Sequence, residues 1–243
     1  MEKALNLKTK DGKVIRSTLN CTEKANDTVA VFVHGLTGSP NEHSFHNAAK
    51  LFPPKGVDTF RFALYWWEDG NRNLSECSIS THVSDLNRVL QYLRPKYKKI
   101  AVIGHSLGSP TILKANKKLF NNVVLWDPSY LKKGIRKSLS EVKINGKLYW
   151  LSSDQIDYLL SKEMVDEWEW FNGKNELNLV SNLQKPLLII AAAKGILKDG
   201  SQAYFKAANG KKKFVLIPNA THCFDEEGTE SILLRETLAW IKI

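Results

Sequence analysis

Short, wholly apolar runs punctuate this chain, and the segments between them carry apolar residues at helical spacing. Val29-Ala30-Val31-Phe32-Val33, Lys99-Ile100-Ala101-Val102-Ile103, Val123-Val124-Leu125-Trp126 and Pro186-Leu187-Leu188-Ile189-Ile190 have strand length and no polar alternation. They are predicted to be strands buried on both faces. Thr59 to Leu64 and Phe214-Val215-Leu216-Ile217 read as further strands. Residues 41–52, 79–94, the stretch after Ile103 as far as about Leu119, Ser201 to Ala208, and 229–242 read as helices. In the second of these, Val83, Leu86, Val89/Leu90 and Leu93 make one apolar stripe, and Pro95 ends it. This alternation predicts an α/β fold: a mostly parallel central sheet with helices on both faces.

Two regions depart from that rhythm. At the start, Leu5 to Lys10 and Lys13 to Leu19 flank Asp11-Gly12, which predicts a hairpin closed by a two-residue turn. From Ser129 to about Gln184 the strands stop, and paired aromatics and acidic clusters take over. A small helical cap insertion is predicted over 129–184, between core segments 1–128 and 185–243.

Composition changes this picture little. A chain of 243 residues with 43% hydrophobic and 25% charged residues fits one well-buried globular core. No apolar run is long enough to span a bilayer, and the first residues lack the apolar stretch of a secretory signal. Cys21, Cys77 and Cys223 have neither metal-ligand nor CxxC spacing, so reduced thiols and a cytoplasmic location are expected. The net charge of +10 comes from dispersed lysines such as Lys98-Lys99, Lys117-Lys118, Lys132-Lys133 and Lys211-Lys212-Lys213. Without aromatic interleaving or a recognition module, a solvated surface is the better reading, and no nucleic acid is expected as a partner.

The chemistry concentrates at Ile103-Gly104-His105-Ser106-Leu107-Gly108, which fits G-x-S-x-G between a predicted strand and a predicted helix. A sharp turn there lifts the serine hydroxyl above the sheet edge and the positive end of the next helix, and the glycines leave room for the crossing chain. Pro110 falls in the first helical turn, where no N–H partner is lost. Ser106 is therefore the candidate nucleophile. Such chemistry also needs donors for an oxyanion. The strand-ending Val33-His34-Gly35-Leu36-Thr37-Gly38 offers the backbone N–H of Leu36, beside that of Leu107, with His34 expected to orient the loop. The candidate base is His222, which follows the last predicted strand and so shares the sheet edge of Ser106. His82 and His105 read as helix or elbow positions. His43 and His46 lie three apart on a helix but lack a third metal ligand, so no metal site is expected.

His34-Gly35, Gly104-His105-Ser106-Leu107-Gly108 and the loop histidine His222 resemble the α/β-hydrolase superfamily, above all small microbial carboxylesterases and monoacylglycerol-lipase-like hydrolases. The resemblance covers roughly residues 5–242. It implies the α/β-hydrolase fold, a Ser…Asp…His catalytic set and no cofactor. In most relatives the acid follows the penultimate strand in a Gly-x-x-Asp stretch. Here Gly195 stands where that aspartate is expected. Asp127, ending the strand before Pro128, is the preferred acid, because some relatives draw it from this neighbouring strand. Asp199 is the alternative, although its place before a helix suits an N-cap.

The resemblance also implies a lid. Tyr65-Trp66-Trp67, Tyr149-Trp150, Tyr158 and Trp168-Glu169-Trp170-Phe171 would either line an acyl or aryl pocket or pack the lid on the sheet. Asp154, Asp157, Glu163, Asp166, Glu167 and Glu169 are expected on its wet face. The expected function is hydrolysis of small or medium apolar esters through an acyl-enzyme. The alternatives are a thioesterase, peptidase or carbon–carbon hydrolase on the same residues, or a non-catalytic binding protein that kept the fold. The expected partners are a small-molecule ester and, in a homodimer, a second copy of the chain.

Overall fold

A computed structural model describes residues 1–24, 26–130, 135–153 and 156–243. Lys132, Lys133 and Asp154, named above, lie outside them. The apolar runs become β3 (Thr28–Val33), β5 (Lys99–His105), β6 (Asn122–Trp126) and β10 (Leu187–Ala192), after the hairpin β1 (Glu2–Lys8) and β2 (Val14–Asn20). With β4 (Asp58–Phe62) and β11 (Lys212–Ile217) they form an eight-stranded sheet in the order β1-β2-β4-β3-β5-β6-β10-β11. Only the β1–β2 and β2–β4 pairings are antiparallel.

The period-two geometry of a strand splits each run between two cores. Val29, Val31, Val102, Val123, Leu125 and Ile189 face α2 (Ile79–Leu93), α3 (Gly108–Lys114) and α6 (Lys198–Ala207). Ala30, Phe32, Ile103, Trp126 and Ile190 face α1 (His43–Leu51) and α7 (Thr229–Ile241). This is why the runs carry no polar positions. Burial on both faces also fixes the register tightly, since a slip of one residue would exchange the two cores.

The opening hairpin closes differently from the prediction. Lys8 pairs with Val14, so five residues turn, not two. The Gly12 N–H donates to Thr9 O and the Thr9 N–H to Lys13 O, and only Gly12 takes positive φ. Asp11 is used elsewhere: its carboxylate takes two hydrogen bonds from Arg72, at 2.6 and 2.9 Å. The helix after Ser106 is shorter than predicted, ending at Lys114. Ala115 is extended there, and Asn116 turns the chain by accepting from the Lys118 N–H at 3.1 Å.

The insertion is not wholly helical. It contains a three-stranded antiparallel sheet, β7 (Ser140–Ile144), β8 (Lys147–Ser152) and β9 (Tyr158–Ser161), followed by α4 (Lys162–Trp170) and α5 (Lys174–Ser181). Asn145-Gly146, both at positive φ, close the β7–β8 hairpin with the two-residue turn that Asp11-Gly12 does not make. Its acidic residues are divided in use. Asp157 and Glu163 are exposed. Glu167 accepts from the Ser80 N–H at 2.6 Å, at the start of α2, and Glu169 accepts from the N–H groups of Ile135 and Arg136. Glu167 thus ties the insertion to α2, and Glu169 braces the insertion internally, each by satisfying free amides.

Candidate active site

The parallel strands all point their C-terminal ends to one edge, and the loops that leave β3, β5, β6 and β11 carry the candidate residues. Ser106 follows β5 at φ +50°, a left-handed conformation that costs a non-glycine residue about 1–2 kcal/mol. The Ser106 N–H donates to Trp126 O, which fixes the turn to the neighbouring strand. A Cβ on Gly108 would stand 2.2 Å from Val33 O, and one on Gly104 2.7 Å from Ile112 Cδ1. Both glycines are therefore required by close approach of the chain.

Asp127 leaves β6 at φ +37° and is fully buried. Its Oδ1 accepts from the Ala192 N–H at 3.2 Å, and its Oδ2 meets His222 Nδ1 at 2.6 Å. A carboxylate so placed sets the imidazole tautomer, with hydrogen on Nδ1 and a free lone pair on Nε2. Asp199 is not at the site. It is exposed in the first turn of α6, which begins one residue earlier at Lys198, so the N-cap position belongs to Leu197. The space that a side chain on Gly195 would enter is taken by Asp127 itself: its Oδ2 lies 3.1 Å from where a Cβ would stand.

On the other side, His34 is buried and orients the loop after β3. The Leu64 N–H donates to His34 Nε2 at 3.0 Å, so Nδ1 carries the hydrogen and donates to Gly35 O at 2.9 Å. Burial lowers this imidazole below its ordinary range, which favours the neutral ring. Tyr65 Oη and the Gly38 N–H donate to the same carbonyl. In a trans peptide the following N–H points the opposite way, so the Leu36 N–H is turned away from these donors. Neither it nor the Leu107 N–H bonds an acceptor among the described residues.

A cavity of about 390 Å³ opens beside these groups, lined by Gly35, Leu36, Glu42, His105, Ser106 and His222 among others. None of the aromatics of the insertion lines it. Trp150, Trp168 and Phe171 pack with Leu107, Cys77 and Ile79 instead, seating the insertion on the core. His43 occupies both ring nitrogens with carboxylates, Asp225 at 2.6 Å and Glu230 at 2.8 Å.

Two neighbours of the site have no signal in the sequence. Ser129 Oγ stands 3.3 Å from Ser106 Oγ, and the Ser129 carbonyl accepts from Tyr204 Oη. The Ser106 hydroxyl therefore rests on Ser129, without a hydrogen bond to His222. Glu42, which precedes α1, faces His105.

Against known proteins, the description "alpha/beta hydrolase of unknown function (DUF900)" fits residues 10–135, just over half of the chain. No curated protein matches. Among solved structures, Est1E from Butyrivibrio proteoclasticus with ferulic acid bound is similar at 17% identity and a TM-score of 0.83, covering 98% of each chain. The esterase domain of a Rhodothermus marinus protein is similar at 17% identity and a TM-score of 0.77, covering 99% of this chain and 97% of that one. Dienelactone hydrolase from Anabaena variabilis follows at 15% identity and a TM-score of 0.72, covering 100% and 97%. At such identities the likeness is one of fold. The family segment holds the loop after β3, the serine turn and Asp127, and the chain belongs to the alpha/beta hydrolases of unknown function (DUF900).

Proposed function

We infer that the chain is a serine hydrolase that cleaves carboxylic esters through an acyl-enzyme. The observation that carries this reading is the 2.6 Å contact of Asp127 with His222 Nδ1, beside a serine held at positive φ. In the proposed reaction the Ser106 hydroxyl leaves Ser129 and turns to His222 Nε2. It attacks the ester carbonyl as His222 takes its proton, and the oxyanion is met by the N–H groups of Leu36 and Leu107. His222 then protonates the leaving alcohol and later activates the water that releases the acid. Asp127 holds the imidazole in register and offsets its transient charge.

The size of the cavity suits a small or medium acyl or aryl ester. The fold shared with an esterase domain and with ferulic-acid-bound Est1E is in keeping with that substrate class. Segment 129–184 is proposed as the lid, seated by its own aromatics. Among the described residues no helix is long and apolar enough to cross a membrane, and the three cysteines are unpaired, which fits a reducing compartment. The binding-protein alternative drew on Gly195, and it weakens once Asp127 fills that space.

A fluorophosphonate probe tests the reading. It is expected to label the wild type at Ser106 and to leave Ser106→Ala unlabelled. Asp127→Asn is expected to lower kcat on a p-nitrophenyl ester by about two to four orders of magnitude, with Asp199→Asn near wild type. An unlabelled wild type, or equal activities of the two variants, would refute it.

A further inference from the structure

His105, the residue before the serine, sends its side chain away from the nucleophile and beneath the candidate base. Its Nε2 lies 2.9 Å from the His222 carbonyl oxygen, and the two imidazole rings pack at a tilt, with centroids 4.7 Å apart and planes at 33°. Its Nδ1 lies 3.4 Å from Glu42 Oε2. The other Glu42 oxygen accepts from the Ser39 N–H at 3.3 Å. One ion pair therefore spans the loop after β3, the serine turn and the loop after β11, the three segments that supply Leu36, Ser106 and His222.

Resting on the serine-hydrolase reading above, we propose that Glu42 and His105 are a positioning pair that clamps the His222 backbone and so fixes where its imidazole faces Ser106. The chemistry of the two acceptors sets the protonation. A carbonyl and a carboxylate only accept, so satisfying both requires hydrogen on both ring nitrogens of His105. Burial opposes that charge, but the hydrogen bond to Glu42, its charge, the His222 carbonyl and Asp127 outweigh it and raise His105 above its ordinary range. Burial likewise opposes the Glu42 carboxylate, and the bond and charge from His105 overcome it, holding Glu42 below its ordinary range. His34, from the end of β3, faces the pair as a neutral ring. Cys223 lies on the third side as a thiol that burial pushes up. The pair is therefore charged across neutral pH. It is lost in acid, as pH falls through the lowered range of Glu42, and in base, as pH rises through the raised range of His105.

The carboxylate has a role that a structural filler would not. Without a partner at Nδ1 the ring is held by the His222 carbonyl alone, and the clamp on His222 loosens. Glu42→Gln keeps the shape, and its amide either accepts from Nδ1–H or donates to a neutral Nδ1, so it holds the ring without the charge. Glu42→Leu leaves Nδ1 with no partner and is expected to lower kcat by about tenfold, and Glu42→Gln is expected to recover most of that loss. Both residues also line the cavity, so KM is measured beside kcat, and positioning predicts a loss carried by kcat with KM within about threefold. His105→Ala should lose about tenfold to a hundredfold in kcat, and His105→Gln, with a neutral donor, should recover part of it. Labelling of the wild type by the fluorophosphonate probe is measured alongside. A labelled wild type together with a fully active Glu42→Leu, a Glu42→Gln no better than Glu42→Leu, or a fully active His105→Ala overturns the pair alone. An unlabelled wild type overturns the hydrolase reading and the pair with it.

Discussion

A Cβ on residue 195 would meet Asp127 Oδ2 and Ala192 Cβ at 3.1 Å each, so glycine there leaves the carboxylate its space. Gly195 does not take positive φ, which leaves crowding as the main effect of a substitution. Gly195→Ala is therefore expected to displace the Asp127 carboxylate by a few tenths of an ångström and to lower kcat by about tenfold, with stability within about 1 kcal/mol of wild type. Steady-state kinetics with a denaturant melt check this, and a fully active variant would show that the carboxylate has room to spare. At this scale much was legible in the sequence. Ser106, Asp127 and His222 each end or follow an apolar run, and such runs locate a sheet edge. The contacts of Glu42 with His105 and of Ser129 with Ser106 were not legible. They join residues 63 and 23 positions apart with no periodic signal.

Helix α2 carries a buried stripe that apolar spacing alone does not describe. Its core face holds Ile79, Leu86, Val89, Leu90 and Leu93, but also His82 and Asp85. Val83, which the spacing placed in the stripe, is only partly buried. Asp85 is paired to the buried Arg72 through Nε at 2.9 Å, and Arg72 reaches on to Asp11 in the β1–β2 turn. Burial raises Asp85 above its ordinary range despite that pairing, whereas Asp11, more exposed, is held below its range by its bond to Arg72. The element thus depends on one guanidinium shared by two carboxylates. Asp85→Asn weakens the bonds to Arg72 and leaves Asp11 as its charged partner, and is expected to cost about 1–3 kcal/mol in urea unfolding. A loss under 1 kcal/mol would mean that Asp11 alone suffices. The same long-range pairing explains why Asp11-Gly12 fails to make the tight turn that its two letters suggest.

Over the whole molecule, histidines kept neutral make stability fall as pH drops below about 6.5. His82 is fully buried, and neither of its ring nitrogens has a hydrogen-bond partner among the described residues. Burial pushes it down to about 3, and burial lowers His34 as well. In the unfolded chain both rings titrate near 6.5, so below that pH the unfolded state binds protons that the fold refuses, and stability falls as pH falls. His105 does not offset this loss. Its raised range gives a contribution already complete below 6.5, and lost only as pH rises. Between pH 7 and pH 5, His82 alone is expected to remove about 2 kcal/mol. His82→Leu deletes the proton and two unpaired polar atoms while keeping an apolar side chain on the core face of α2. It should be neutral or stabilising at pH 7, and more stabilising by about 2 kcal/mol at pH 5. Urea denaturation of both proteins at the two pH values measures that difference directly. An equal effect at pH 5 and pH 7 would mean that His82 takes up its proton in the folded state, and that the acid sensitivity of this fold is set elsewhere.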